Sequence, residues 1–217
     1  MTLQDSLDRL KMKIEGSMPP DFVKIMHQST ADLVATGIGS KISRAGDQAP
    51  DFTLSNQNGE KVALKDLLAK GPVAVTFYRG MWCPYCNTDL TFLKRYKDQL
   101  EEKGVNMVSI SPQLPKFNKQ ISEQQRLGYD LLTDNGNEVA AQFGLRWEMV
   151  DPLKSLYRDK FGIKLPEYNG DDSWTLPVPA RFIIGTDGII KYAEYSVDYT
   201  KRPNPDVLVR ELENRVE

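Results

Sequence analysis

Histidine and cysteine are scarce in this sequence, whose 217 residues include one histidine and two cysteines. Two cysteines are too few for a disulfide scaffold. Together with His27 they are also too few for a structural zinc site built mainly from cysteine and histidine. A Ser-His-Asp or Cys-His catalyst would depend on His27 alone, and we interpret that residue as a surface or interface histidine.

An excess of either charge sign is also missing, because the formal net charge is −2. This balance removes the electrostatic argument for nucleic acid as a main partner. No apolar run approaches the roughly 20 residues of a membrane-spanning helix, so we expect no membrane association. Residues 1–15 carry acidic and basic side chains instead of the apolar stretch of a secretory signal, and we therefore expect a cytoplasmic protein.

Residues 1–44 are predicted to form an N-terminal helical extension. Apolar side chains recur there at the spacing of one helix face, at Leu3, Leu7, Leu10 and Ile14. Gly16 and the prolines at 19–20 end this helix, and a second helix is predicted over residues 20–36. The extension either covers the main domain or offers a surface to a partner, and a homodimer is one possible use of that surface.

Residues 45–217 are predicted to form one domain in which strands alternate with helices. Strands are predicted over residues 52–54, 73–78, 105–111, 129–132, 180–184 and 189–195. Helices are predicted over residues 84–103, 116–127 and 137–143, and from Asn204 to the end of the chain. Residues 146–176 are expected to be a loop-rich insertion with a short helix near 153–161. This order favours an α/β architecture, a mixed sheet flanked by helices.

The two cysteines lie together in Cys83-Pro84-Tyr85-Cys86, between the buried strand that ends near Tyr78 and the helix that begins near Pro84. A helix N-terminus offers free backbone N–H groups and a positive dipole end, which favour a thiolate. Two intervening residues on a helical turn bring the sulfurs close enough to bridge. The other interpretations are an inert buried pair or half of a zinc site, and no second C-x-x-C supports the latter. We therefore predict a redox-active pair.

Three segments carry a family resemblance: residues 46–54, the strand at 73–78, and Arg79-Gly-Met-Trp-Cys-Pro-Tyr-Cys86. They resemble the peroxiredoxin-like branch of the thioredoxin superfamily, the alkyl hydroperoxide reductase/thiol-specific antioxidant group. The stretch Leu176-Pro-Val-Pro-Ala-Arg-Phe-Ile-Ile184 adds to this resemblance, which extends over about residues 44–200. It implies a thioredoxin-like fold and a thiol-dependent peroxidase.

The sequence departs from the family pattern at the motif itself. Peroxiredoxins carry Pro-x-x-x-Thr/Ser-x-x-Cys, so the resemblance places Arg79 at the proline, Cys83 at the Thr/Ser and Cys86 at the peroxidatic cysteine. Thioredoxins instead attack with the first cysteine of the pair, which here is Cys83. The sequence leaves open which thiol attacks first.

A second departure lies before the strand at 180–184. Pro179, preceded by Val178, matches the position of the cis-proline that faces the cysteines in thioredoxins, where peroxiredoxins usually have an arginine. An arginine follows two residues later, at Arg181, and residues two apart on a strand share a face. The resemblance implies that Arg79 or Arg181 stabilises the thiolate and the developing charge on the leaving oxygen. It also implies substrate contacts near the thiols, at Tyr78, Trp82, Pro84, Tyr85, Val178 and Pro179.

The resemblance favours reduction of hydrogen peroxide or organic hydroperoxides by the Cys83/Cys86 pair, with no metal and no organic cofactor. A thioredoxin- or glutathione-type donor would then restore the two thiols. The alternatives are a thiol-disulfide oxidoreductase that acts on protein disulfides, and a thioredoxin-fold module for interaction or redox sensing.

Overall fold

The computed structural model describes residues 1–213 and confirms an α/β architecture with a mixed central sheet and two N-terminal helices. The strands are β1 (Thr53–Asn56), β2 (Lys61–Ala63), β3 (Val73–Phe77), β4 (Asn106–Ser111), β5 (Asp130–Thr133), β6 (Arg146–Glu148), β7 (Thr175–Pro177), β8 (Ala180–Ile184) and β9 (Ile190–Tyr195). The α-helices are α1 (Leu3–Gly16), α2 (Pro20–Ala35), α3 (Leu64–Leu68), α4 (Pro84–Leu93), α5 (Lys97–Glu102), α6 (Pro115–Gln125), α7 (Glu138–Gln142), α8 (Leu153–Ser155), α9 (Leu165–Asn169) and α10 (Asp206–Glu213). Short 3₁₀ helices cover Ile38–Lys41, Lys94–Tyr96 and Asn135–Asn137, and a π-helical turn covers Leu156–Lys160.

Seven strands form the central sheet in the order β2-β1-β5-β4-β3-β8-β9. Strands β3, β4 and β5 are parallel, and β8 is antiparallel to β3 with Thr76 opposite Arg181. Strand β3 is buried along its whole length, as expected for the centre of a sheet covered on both faces. Its two faces look into different cores. Val75 and Phe77 face the core that includes α7, whereas Ala74 and the following Tyr78 face α1, α4, α5 and α10.

The extension packs against the rest of the chain. Leu3 and Leu7 of α1 are buried in the core that also holds both cysteines. Met26 of α2 is buried in a third cluster, whose other members come from residues 149–176. The extension thus covers the cysteine-bearing side of the domain, which is one of the two roles left open by the sequence.

The predicted helix over residues 84–103 is wrong as one continuous helix. It ends at Leu93, and a 3₁₀ turn redirects the chain before α5 begins at Lys97. Leu100 of α5 is still buried beside Leu90 and Leu93 of α4, so the apolar periodicity continues across the turn. Because the apolar spacing continues, the sequence pattern does not reveal the break between α4 and α5.

Residues 146–176 contain more regular structure than expected. Strands β6 and β7 pair as a small antiparallel sheet with Trp147 opposite Leu176. Helices α8 and α9 and a π-helical turn lie between them, and the predicted short helix corresponds to α8 and that turn. The strands β2, β6 and β7 and the five-residue helix α3 were also missed, because they are too short to display a period. The helix after Asn204 is α10, and its expected end falls on residues 214–217, outside the described residues.

Candidate active site

The two cysteines flank the first turn of α4. Strand β3 ends at Phe77, and a loop then leads to Cys83, which occupies the N-cap position with extended backbone angles. Pro84 begins the helix, where a missing N–H leaves no partner unsatisfied. Cys86 follows in the same turn. Both thiols are free and buried, with 1% of Cys83 and none of Cys86 exposed.

Cys86 receives hydrogen bonds from two directions. The backbone N–H of Arg79 donates to its Sγ over 3.4 Å, and Nη2 of Arg202 donates over 3.2 Å. Burial opposes ionisation of this thiol, but the hydrogen bond from Cys83 and the charges of Arg202 and Arg79 outweigh it. The pKa of Cys86 is therefore lowered below that of an ordinary cysteine, which favours the thiolate form of its side chain.

Cys83 shows the opposite behaviour. Burial raises the pKa of its thiol, and the hydrogen bond and negative charge of Cys86 raise it further. Cys83 therefore keeps its proton and donates it in a hydrogen bond to the Cys86 sulfur. The pair holds one proton between two sulfurs.

Asp89 sets the position of two buried arginines behind Cys86. It lies three residues after Cys86 on α4, and its Oδ1 is 2.7 Å from Nη2 of Arg181. Its other oxygen, Oδ2, is 3.7 Å from Nε of Arg202. Because Arg181 and Arg202 bring two positive charges and Asp89 one negative charge, this cluster reaches neutrality only when Cys86 is ionised. Buried charges are tolerated when they are paired in this way.

Arg79 stands on the other side of the pair. Its Nη2 donates to the hydroxyl of Tyr157 over 2.9 Å. Its guanidinium lies over the rings of Tyr199 and Trp82, with centroids 4.5 Å and 4.9 Å away. Its Nε is buried and has no hydrogen-bond partner. The side chain is thus a fixed cation whose Nε–H is free to donate.

Arg181 does not contact the thiols in the manner that the resemblance implies. Its three guanidinium nitrogens donate to Thr76 Oγ1, to the carbonyl of Pro203 and to Asp89. It lies on the face of the sheet that carries the cysteines, and Asp89 joins it to Arg202. The guanidinium that does reach Cys86 belongs to Arg202, near the end of the chain. The sequence analysis missed Arg202, since nothing in the local sequence marks it.

Tyr78 lies in the same core as both cysteines, with its hydroxyl engaged elsewhere. The hydroxyl donates to Oδ1 of Asn118 over 2.5 Å and accepts from Nε2 of Gln113 over 3.0 Å. Burial raises the pKa of Tyr78, so it remains protonated. Tyr78 thus fixes the loop before the cysteines through a buried polar network.

A cavity of about 230 Å³ opens in front of Cys83. Its lining residues are Ile14, Met18, Met26, Arg79, Trp82, Cys83, Pro84, Tyr85, Tyr157, Phe161, Ile163 and Tyr199. Three of the six predicted substrate-binding residues, Trp82, Pro84 and Tyr85, are therefore on the wall. Tyr78, Val178 and Pro179 are not among the lining residues, and neither is Cys86.

The expectation of a thioredoxin-like cis-proline at Pro179 is wrong. Within residues 1–213 the one cis peptide bond precedes Pro152, so the bond between Val178 and Pro179 is trans. Sheet-like hydrogen bonds hold both of its ends. The N–H of Val178 donates to Leu145, and the carbonyl of Pro179 accepts from Ser196. This backbone therefore continues from β7 into β8 in extended form.

Neither a metal cluster nor a membrane-spanning helix is found in the described part of the chain. Within residues 1–213, no three histidine, cysteine, aspartate or glutamate side chains are grouped as metal ligands would be. Over the same residues, no helix has both the length and the apolar composition that crossing a bilayer requires.

Comparison with known proteins identifies the family. The AhpC/TSA family model matches residues 45–193. A putative peroxiredoxin of Haemophilus influenzae is 39% identical over 100 residues, which are 46% of this chain and 64% of that protein. Peroxiredoxin Bcp of Escherichia coli is 35% identical over 102 residues, which are 47% of this chain and 65% of that protein. The matches thus span slightly less than two thirds of these relatives.

A solved structure and a further relative extend the comparison. The crystal structure of peroxidoxin BcpB from Mycobacterium tuberculosis superposes with a TM-score of 0.62 at 24% identity, over 79% of this chain and 97% of that one. This likeness shows the fold. A putative peroxiredoxin of Mycobacterium tuberculosis is 31% identical over 120 residues, covering 55% of this chain and 78% of that protein. On the strength of the matched model and of this relative, the chain belongs to the AhpC/TSA family.

Proposed function

We propose that this protein is a thiol peroxidase that reduces hydrogen peroxide or organic hydroperoxides with the Cys83/Cys86 pair. The observation that carries the proposal is the buried sulfur of Cys86, held between the Arg202 guanidinium and the Arg79 N–H. A thiolate is the reactive form of cysteine, and two donors that already converge on it also suit an oxygen that becomes negative beside it. The names of the relatives support the same chemistry.

The first step transfers one oxygen to Cys86. Its thiolate attacks the terminal oxygen of R–O–O–H, the O–O bond breaks, and the products are Cys86 sulfenic acid and the alkoxide RO⁻. For hydrogen peroxide the leaving group is hydroxide. The guanidinium groups of Arg79 and Arg202 stabilise this negative charge, and the thiol of Cys83 supplies the proton that turns RO⁻ into ROH.

The second step closes the disulfide. Cys83, now a thiolate, attacks the sulfenic sulfur of Cys86 and displaces hydroxide, which takes a proton from solvent to give water. A thioredoxin- or glutathione-type thiol donor then returns two electrons and restores both thiols. The proposal places the protein in the cytoplasm, where such donors keep thiols reduced. Both sulfurs come from one chain, so the chemistry does not require the homodimer considered for the extension.

The pKa shifts favour Cys86 as the attacking thiol, whereas access from the cavity favours Cys83. The proposal assigns the attack to Cys86. Cys83 lines the cavity and Cys86 does not. However, the pKa of Cys83 is raised and that of Cys86 is lowered, so the cavity-facing sulfur is the poorer nucleophile. Cys86 also matches the peroxidatic position of the family motif. The proposal therefore requires the Cys83 side chain to move aside so that the peroxide reaches Cys86.

The position of Cys83 on the cavity wall favours a second candidate, a thiol-disulfide oxidoreductase that attacks with Cys83. In that scheme Cys83 forms a mixed disulfide with a partner and Cys86 resolves it. Two observations disfavour this second candidate. The pKa of Cys83 is raised, and only 1% of the residue is exposed to a protein partner.

The deciding experiment measures the reduced protein against both kinds of electrophile. Stopped-flow mixing with hydrogen peroxide and with an organic hydroperoxide should show oxidation far faster than that of free cysteine, followed by one intramolecular disulfide. Oxidation rates equal to those of free cysteine would contradict the proposed peroxidase activity. If the same preparation then reduced insulin disulfides efficiently, the oxidoreductase would replace it. If the protein reacted with neither peroxides nor insulin disulfides, an interaction or redox-sensing module would be the remaining function.

A further inference from the structure

The wall of the cavity in front of Cys83 is built largely by residues outside the C-x-x-C segment. Ile14, Met18 and Met26 come from the N-terminal helices and the turn between them. They precede residue 45, where the match to the family model begins. Phe161 and Ile163 come from the segment between β6 and β7. The loop and first turn at residues 79–85 supply the floor.

These two distant parts of the chain are packed together as one body. Met26 of α2 is buried in a single cluster with Leu153, Leu156, Leu165 and other residues of the segment between β6 and β7. The rings of Phe22 and Phe161 meet edge to face, with centroids 6.1 Å apart. The wall is therefore a fixed packed surface of the folded chain.

The chemistry of the cavity is apolar with one cation. Its twelve lining residues include no carboxylate, and Arg79 is the one side chain among them that carries a permanent charge. Arg79 is 1% exposed, and its Nε has no partner. Trp82, also on the wall, has a buried Nε1 without a partner. An apolar cavity with two buried, unsatisfied donors on neighbouring side chains suits a ligand that is apolar over most of its surface and carries an oxygen at one end.

The size of the cavity exceeds what hydrogen peroxide requires. Its volume is about 230 Å³, whereas one water molecule takes roughly 30 Å³ in the liquid and an apolar cavity of about 150 Å³ holds benzene. Hydrogen peroxide would leave most of this apolar surface without contacts. An aromatic or branched alkyl group of about ten carbon atoms would fill it.

We infer that this cavity is a subsite for the organic group of a bulky apolar hydroperoxide, and that Met26 and Ile163, which come from separate segments of the chain, limit the size of that group. The hydroperoxide end then points toward the thiols, with Arg79 Nε free to donate to the leaving oxygen. This inference rests on the proposed peroxidase and specifies its substrate class. The reaction remains ROOH plus two thiols to ROH, water and one disulfide.

Filling the cavity tests the inference. Met26→Trp and Ile163→Trp each place a large ring inside it from a different segment of the chain. The control variant Met12→Trp replaces a methionine of α1 that is 68% exposed. The readout is the ratio of the rate constants for oxidation by cumene hydroperoxide and by hydrogen peroxide. Each filling variant should lower this ratio at least tenfold, because a pocket discriminates by about that factor for small changes in fit. Met12→Trp should leave it unchanged. Thermal unfolding checks that each variant folds, and Ile163→Trp, at a half-buried residue, carries the test if Met26→Trp does not fold.

A binding measurement separates this inference from the peroxidase itself. The unreactive alcohol 2-phenylpropan-2-ol, the product of cumene hydroperoxide reduction, is titrated calorimetrically into the Cys83→Ser/Cys86→Ser protein and into the same protein with Ile163→Trp. The subsite is supported if the alcohol binds to the double serine variant and binds at least tenfold more weakly when Ile163→Trp is added. This result would support the subsite even if the native protein reduces no peroxide. The subsite would be contradicted if the alcohol did not bind to the double serine variant, or if neither Met26→Trp nor Ile163→Trp changed the rate ratio. Neither result would contradict the peroxidase itself.

Discussion

The two sides of the first turn of α4 differ in chemistry. Behind Cys86 lies a cluster of buried charges formed by Arg202, Asp89 and Arg181. In front of Cys83 lies a cavity walled by methionine, isoleucine and aromatic side chains. In the proposed function, reactivity and recognition therefore belong to opposite sides of this turn. Burial strengthens the charge interactions on one side, and the apolar wall favours an apolar ligand on the other.

The separation also runs along the chain. The charged side comes from α4, β8 and the segment before α10, whereas much of the apolar side comes from α1, α2 and the segment between β6 and β7. Substitutions on the two sides should therefore have different signatures. Changes behind Cys86 should alter ionisation and the rate with every peroxide, and changes in front of Cys83 should alter selectivity between peroxides.

Exchange of each cysteine should give the largest effect. Cys86→Ser should reduce peroxide-driven oxidation to the level of free cysteine, because serine cannot serve as the thiolate. Cys83→Ser should still react once with peroxide and stop at a sulfenic acid, since the resolving thiol is missing. Stopped-flow kinetics with a sulfenic-acid trap and mass spectrometry distinguish the two results. The proposed roles would be reversed if the trapped sulfur were Cys83 in the Cys86→Ser protein.

Asp89→Asn should give the next largest effect, on stability. It leaves the buried guanidinium groups of Arg181 and Arg202 without their carboxylate, and removal of one partner from a buried ion pair costs about 3–5 kcal/mol. Denaturant unfolding of the reduced protein measures the loss. Asp98→Asn is the matched control, because Asp98 is 89% exposed and its pair with Lys97 contributes little. Equal stability of the two variants would show that the charged cluster is not a structural element.

Arg202→Met should slow oxidation by hydrogen peroxide and by organic hydroperoxides alike, by about 10²-fold, which is typical for loss of one donor to a developing anion. It should also raise the pKa of Cys86, since the guanidinium favours the thiolate. The checks are the oxidation rate and its pH profile, with the exposed Arg9→Met as the control. A slower rate with an unchanged pH profile would contradict a direct effect on the thiolate.

Tyr199→Phe should give the smallest effect. Its hydroxyl contacts the sulfur of Met26 over 3.5 Å, and thioether sulfur is a weak acceptor. The ring, which lies over the Arg79 guanidinium, is retained. We expect rates with both peroxides to stay within about fivefold of the native values, because one weak hydrogen bond contributes about 1 kcal/mol. A loss confined to organic hydroperoxides would show that the hydroxyl itself contacts the substrate.

The motif, the central strand and the family could be predicted from the sequence, because the residues that carry them are contiguous. Cys83, Cys86 and Arg79 lie in one stretch of eight residues, and a strand followed by a helix fixes where their backbone goes. The contribution of Arg79 differs from the expected one, since its backbone N–H contacts Cys86 while its guanidinium lies among aromatic rings.

The partners that come from distant segments could not be predicted. Arg202 reaches Cys86 from 116 positions further along the chain. The cavity wall combines residues as far apart as Ile14 and Ile163. In the sequence, Asp89 was the one indication of such a partner. Its carboxylate lies one turn after Cys86 and beside the apolar Leu90 and Leu93, so it requires a buried cation. The arginine that satisfies it is known only from the fold.

Thiolate titration shows whether Cys86 holds the negative charge of the cysteine pair. The ultraviolet absorbance of the thiolate is followed against pH in the reduced native protein and in the two single serine variants. Because the pKa of Cys86 is lowered, the charged form should persist to a pH well below the ordinary value of roughly 8.5. We expect this acid-stable signal in the native protein and in Cys83→Ser, and its loss in Cys86→Ser. A signal that disappears in Cys83→Ser and remains in Cys86→Ser would contradict this expectation.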